Sequence, residues 1–141
     1  LGWTGFAVPR LQPRYGVLKT GLIVGFVWGA WHFPPFWTQE TFSAGLPFAL
    51  LLGQLFAWLP PYRIWMVWVY GRTESLLVVV LMHAGLVAGL SALVPAELTT
   101  TALLTWILTW AAVLWVIMAV VAVVNQEWSR PSSVQTHLAG R

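Results

Sequence analysis

The run Gly25-Phe26-Val27-Trp28-Gly29-Ala30-Trp31-His32-Phe33-Pro34-Pro35-Phe36-Trp37 holds one imidazole, His32, near the end of an otherwise apolar stretch. An ionisable group among side chains this apolar is costly to bury without a partner, so it marks a functional position. A second imidazole, His83, sits the same way inside Ser75–Leu93. These two isolated histidines, in two separate apolar segments, are the main chemical clue in the chain. Working outward from the first, Leu18–Trp37 is about 20 residues long, enough to cross a hydrocarbon core roughly 30 Å thick. Pro34-Pro35 should end or kink it.

Composition agrees with that reading. Of 141 residues, 59% are hydrophobic and 8% charged, whereas a soluble domain carries about 25% charged residues to face water. The chain lacks the polar surface of a soluble protein and is read as an all-α membrane protein. Eleven tryptophans and nine prolines fit, since Trp collects at bilayer interfaces and Pro is tolerated in spanning helices. The absence of cysteine excludes a disulfide framework and thiolate metal sites. The net charge of +3 comes mostly from Arg in short connections, with no basic stripe, so it points to membrane orientation and not to nucleic acid.

Four spans are expected, over about 18–37, 46–70, 75–93 and 100–124, with a polar C-terminal tail over 125–141. Leu1–Thr20 reads as an interfacial lead-in with a helix starting near Val17. Leu46–Tyr70 is interrupted by Pro60-Pro61 and Arg63, which either split it or only bend it. Arg10, Arg14 and Lys19 precede the first span, Arg63 and Arg72 flank the second connection, and Arg130 and Arg141 follow the fourth. The other two loops carry Glu40 and Glu97 without Lys or Arg, so basic and non-basic connections alternate as four spans require. The expected setting is a multi-pass protein of a prokaryotic plasma membrane.

Depth follows from the same map. His32 lies 13 residues past Lys19 and His83 lies 11 past Arg72, or roughly 20 Å and 16 Å along helices rising about 1.5 Å per residue. The two imidazoles can meet inside the bundle on helices running the same way, if the first and third spans pack side by side.

Leu1–Arg14 (LGWTGFAVPRLQPR), the Trp28-x-x-x-His32 segment and Ser75–Val87 (SLLVVVLMHAGLV) together resemble the CAAX protease and bacteriocin-processing (CPBP) family of intramembrane proteases, which is related to the type II CAAX prenyl endopeptidases. The family pattern is EExxxR, then aromatic-x-x-x-His, then His-x-x-x-Asn, and the resemblance covers about residues 1–93. It implies that His32, with Trp28 four positions earlier, is the second-motif histidine and that His83 is the third-motif histidine. The paired glutamates would fall just before Leu1, so the chain is read as N-terminally truncated and inactive by itself. The motif's arginine would fall on Thr4 and its asparagine on Val87. Thr and Val cannot replace a charged donor and an amide.

What the resemblance implies is an endopeptidase cleaving a peptide bond in a membrane-associated or prenylated substrate. A glutamate would activate water, and His32 and His83 would orient it, stabilise the oxyanion, or bind a divalent metal such as zinc if one is used. The chemistry is sound, because a desolvated carboxylate can act as a general base near neutral pH and neutral imidazoles bind metal or donate to an oxyanion. The partners implied are membrane lipid and a peptide or lipidated protein.

Plainer readings stand beside these. His32 can simply cap a helix end, and His83 can hydrogen-bond a neighbouring helix as packing glue. Gly85 and Gly89 form a small-xxx-small step that reads as a packing face, and Glu74 reads as a charge at a helix N-terminus. The alternative function is a catalytically impaired membrane scaffold or immunity-type binding module of the same fold. A proton or metal-ion path comes last, since the chain has no Asp and few polar groups to line a route.

Overall fold

A computed structural model describes residues 2–39, 44–94 and 97–124. Leu1, Glu40, Pro95 and the tail expected over 125–141 lie outside the described residues. Among the described residues, five α-helices run in chain order: α1, Val8–His32; α2, Gly45–Leu52; α3, Leu59–Thr73; α4, Leu76–Leu93; and α5, Thr100–Val124. A π-helical turn, Trp3–Ala7, leads into α1, and another, Gly53–Trp58, joins α2 to α3 without a break, so the elements form four rods. The protein is an all-α membrane protein. Among the described residues α5 is the one helix long and apolar enough to cross a membrane, and Leu76–Ala92 is a shorter apolar helix.

The N-terminal lead-in is helical and not merely interfacial. Gly16, at φ 71° and ψ 178°, interrupts α1 and the helix resumes at the next residue. Only glycine takes that backbone conformation without strain. The segment before the break keeps Pro9 at its start and Pro13 inside. It folds because Val8 packs with Val24 and Val67, flanked by Trp3, Leu11, Val17 and Tyr70. At the other end α1 stops at His32, ahead of a 3-10 turn over Pro34–Phe36.

Pro60-Pro61 neither splits nor ends the second rod. Both prolines stand in the first turn of α3, where a missing N–H is tolerated. The Leu59 amide donates to Gln54, a π-type bond, and Pro60 has no amide to give. The Leu55 carbonyl faces Gly29 of α1, where an added Cβ would lie 2.5 Å from its oxygen.

That contact belongs to a stripe. A Cβ at Gly21 would meet Ile64 Cα at 2.6 Å, and one at Gly25 would meet Pro60 Cα at 2.8 Å. Glycines spaced by four let the α1 and α3 backbones touch, as small-xxx-small faces do. The step at Gly85 and Gly89 is not such a face, since an added Cβ at either meets nothing within 4 Å. Ile64 and Met118 form a second core with Leu22, Trp65 and Trp115, which seats α5, and the Trp115 indole donates to the Ala57 carbonyl at 2.8 Å.

Two further expectations are corrected. Arg63 is only 3% exposed, so it is no loop charge; it sits on the inner face of α3 because the glycine stripe draws that face against α1. Glu74 does not open a helix: it caps the C-terminus of α3 with φ 50°, and Ser75 caps α4 by accepting from the Val78 amide.

Candidate functional site: two imidazoles around Trp28

Trp28 is buried on the α3-facing side of α1, one turn before the helix ends. Residues four apart are neighbours on a helix, and the His32 ring stands edge-on to the Trp28 ring at 5.0 Å. His32 Nδ1 lies 2.7 Å from the Trp28 carbonyl oxygen. A carbonyl can only accept, so Nδ1 carries a proton, and in the neutral imidazole the lone pair then lies on Nε2. Phe36, in the following 3-10 turn, stands 6.4 Å from the His32 ring.

His83 reaches the same tryptophan from α4, with ring centroids 5.4 Å apart. Its Nδ1 is buried without a hydrogen-bond partner. The expectation that the first and third spans pack side by side does not hold. The main partner of α1 is α3, while α4 leans on α3 and on the N-terminal turn. The backbones of α1 and α4 stay apart because the glycine stripe commits α1 to α3, and the side chains of Trp28 and His83 span the gap.

Both imidazoles line one cavity of about 470 Å³, walled by Trp28, Leu55, Val87, Trp106 and Ile107 among others. Val87, one turn beyond His83, is therefore on the cavity face. A smaller cavity of about 170 Å³ lies on the other side of Trp28 and His83, lined also by Trp3, Thr4, Arg63 and Leu76. The N-terminal turn thus approaches the site, as the motif order implies.

Arg63, which the sequence reading counted as a connection charge, belongs to the site. Its Nη2 donates to Thr4 Oγ1 at 2.8 Å and its Nη1 to Met66 Sδ at 3.6 Å. Its guanidinium carbon stands 5.3 Å from the Trp28 ring centroid, while Nε has no partner. The signal was there: an ionisable group inside an apolar run, the same criterion that singled out the histidines.

These residues do not make a metal site by themselves. No group of three His, Cys, Asp or Glu side chains converges among the described residues, and a catalytic zinc takes three protein ligands. The two imidazoles are joined through Trp28, each packing on its ring, and not by a direct ring contact or hydrogen bond among the described residues. What the site offers is one oriented basic nitrogen, a second imidazole and a buried cation around an apolar cavity.

The family model described as "Type II CAAX prenyl endopeptidase Rce1-like" matches residues 1–89, which include Thr4, Trp28, His32, Arg63, His83 and Val87. A CAAX prenyl protease 2 from Methanococcus maripaludis is 37% identical over 43 residues. That match spans 30% of this chain and only 16% of the relative. No solved structure matches.

Proposed function

The chain belongs to the Rce1-like family of type II CAAX prenyl endopeptidases, and from that premise we propose that it carries the histidine half of an intramembrane endopeptidase site. The observation that supports this most is the convergence of His32 and His83 on one apolar cavity. A volume of about 470 Å³ suits a ligand chain, since such pockets run to roughly 300–1,000 Å³. Its walls of Trp, Leu, Val and Ile suit a prenyl group or an apolar peptide end in a multi-pass membrane setting. The base in this reading is a glutamate of the family's first motif, which would stand just before Leu1. His32, through its free Nε2, holds the attacking water. His83 faces the developing oxyanion.

The test uses the full-length protein in proteoliposomes with a farnesylated peptide. His32→Ala and His83→Ala should each reduce cleavage on the order of 10²–10⁴-fold at unchanged expression, the range for losing a positioned proton-transfer group. Cleavage that survives both substitutions would remove the reading, and so would upstream codons that lack the Glu-Glu pair.

A second reading has its own observation. Val87 lines the cavity where the family places an amide, and Thr4 stands where it places a cation. A catalytically impaired scaffold or binding module of the same fold would keep the cavity and lose cleavage. The same assay separates the two, because such a module would bind the farnesylated peptide without cutting it.

A further inference from the structure

We infer that Arg63, on α3, supplies the guanidinium that the family's first motif carries at the Thr4 position, and that it holds the motif's second glutamate in place. The inference rests on the endopeptidase reading and adds a positioning residue to it.

Arg63 is a buried charge. It is 3% exposed, and its guanidinium donates to a hydroxyl and a thioether. Both are neutral. Glu74 and Glu97, the described acids, are exposed, and no ion pair with Arg63 exists among the described residues. A buried cation is expensive unless it is paired with an anion or fully hydrogen-bonded. Nε is left over, so the group has donors to spare for a carboxylate.

Its location identifies that carboxylate. In EExxxR the second glutamate precedes the arginine by four residues. On a helix that spacing puts the two side chains on one face, one turn apart. The backbone is already helical at Gly2, with φ −56° and ψ −43°. A glutamate one turn before Thr4 would therefore project beside Thr4 Oγ1, where Arg63 Nη2 arrives from α3 at 2.8 Å. The cation comes from a neighbouring helix and the threonine hydroxyl holds it there. The small cavity shared by Thr4, Arg63, Trp28 and His83 is the space that carboxylate would enter. Across Trp28 lies His32.

The experiment compares Arg63→Met, Thr4→Arg and the double variant in the full-length protein, with His83→Ala as the marker of proteolysis. Arg63→Met should lower kcat on the farnesylated peptide at least tenfold, with KM changed less than about threefold. Adding Thr4→Arg should restore at least half the wild-type kcat, since it returns the guanidinium from the motif's own position. A double variant that folds but stays as slow as Arg63→Met overturns the inference. So does a rise in KM that vanishes for the C-terminally amidated peptide, because Arg63 would then be reading the substrate's carboxylate.

If the wild-type protein cleaves nothing, the endopeptidase reading fails separately, and melting temperature still decides on Arg63. Arg63→Met leaves a buried carboxylate unpaired, and Thr4→Arg alone crowds two guanidiniums, so each should lower the melting temperature and the double variant should recover it. Additive losses, or a rise with Arg63→Met alone, would count against a shared carboxylate partner and overturn the inference.

Discussion

Gly25→Ala is the sharpest test of how the site is built. A Cβ at Gly25 would stand 2.8 Å from Pro60 Cα, 3.2 Å from Pro60 Cβ and 3.3 Å from Arg63 Cβ. Comfortable carbon–carbon contact is about 3.5–4.0 Å, so α1 and α3 must separate by roughly 1 Å at that level. Neither neighbour can swing aside, because one atom is backbone and the proline ring is rigid. Overpacking of this kind typically costs about 1–3 kcal/mol. Replacing Gly by Ala in a helix interior also brings a gain of about 0.8–1.0 kcal/mol from propensity, which would blur a single measurement. Gly85→Ala and Gly89→Ala supply the correction, since a Cβ there meets nothing within 4 Å and only the propensity gain remains. The difference between the Gly25 and Gly85 variants is then the clash alone, about 1–3 kcal/mol, or roughly 5- to 160-fold in the folding constant. Equilibrium unfolding in detergent micelles would measure it. Equal stability of Gly25→Ala and Gly85→Ala would refute the close α1–α3 contact and, with it, the path by which Arg63 reaches Trp28.

Other substitutions probe separate parts of the structure. Gly16→Ala forces a side chain into a conformation at φ 71° and ψ 178°, and should cost about 1–3 kcal/mol in the same unfolding measurement; no loss would mean that the break in α1 is absent. Trp28→Ala removes the ring on which both histidines rest and should cost about 3–5 kcal/mol, with Trp28→Phe retaining most of the stability. Trp115→Phe leaves the Ala57 carbonyl without its indole donor and should cost about 1–3 kcal/mol, read as a lower melting temperature. Val87→Asn places an amide on the cavity wall one turn beyond His83, and should raise kcat if the site is an endopeptidase weakened by the missing donor.

The helices were legible where chain-local rules decide them. Ser75 and the apolar run behind it mark α4, and Pro34-Pro35 marks the end of α1, because caps and missing amides act within one turn. The start of a helix near Val17 was legible too, since Gly16 breaks the helix immediately before it. That the preceding segment is itself helical was not legible: Val8 is held by Val24 and Val67, and such distant partners leave no trace in local composition. The glycine stripe shows the same limit. Spacing by four identifies a small face at Gly21–Gly25–Gly29 as readily as at Gly85–Gly89, but only the fold decides which face receives a partner. Arg63 was misassigned for a different reason. Counting basic residues by connection treats every Arg beside a proline pair as a loop charge, whereas Pro60-Pro61 sits harmlessly in the first turn of α3 and leaves Arg63 inside the bundle.

The packing and the polar site are a single construction. Trp28 meets His32 by the helical spacing of four, fixes its tautomer through the Trp28 carbonyl, and presents its ring to His83 across the bundle. The His32 contacts lie within one helix turn and do not need α3. Arg63 does, because a guanidinium 5.3 Å from the Trp28 ring requires the α3 backbone to lie against α1, and glycine at 21, 25 and 29 permits that approach. Pro60 contributes from the other side: its Cα lies 2.8 Å from where a Cβ at Gly25 would stand, and the Leu55 carbonyl faces Gly29, where any larger residue would collide with it. The π-helical turn and the prolines of the second rod thus lie at the contact through which a buried cation reaches Thr4 and Trp28. A change that widens the α1–α3 contact should disturb Arg63 before it disturbs the His32–Trp28 pair, which is held within one helix turn.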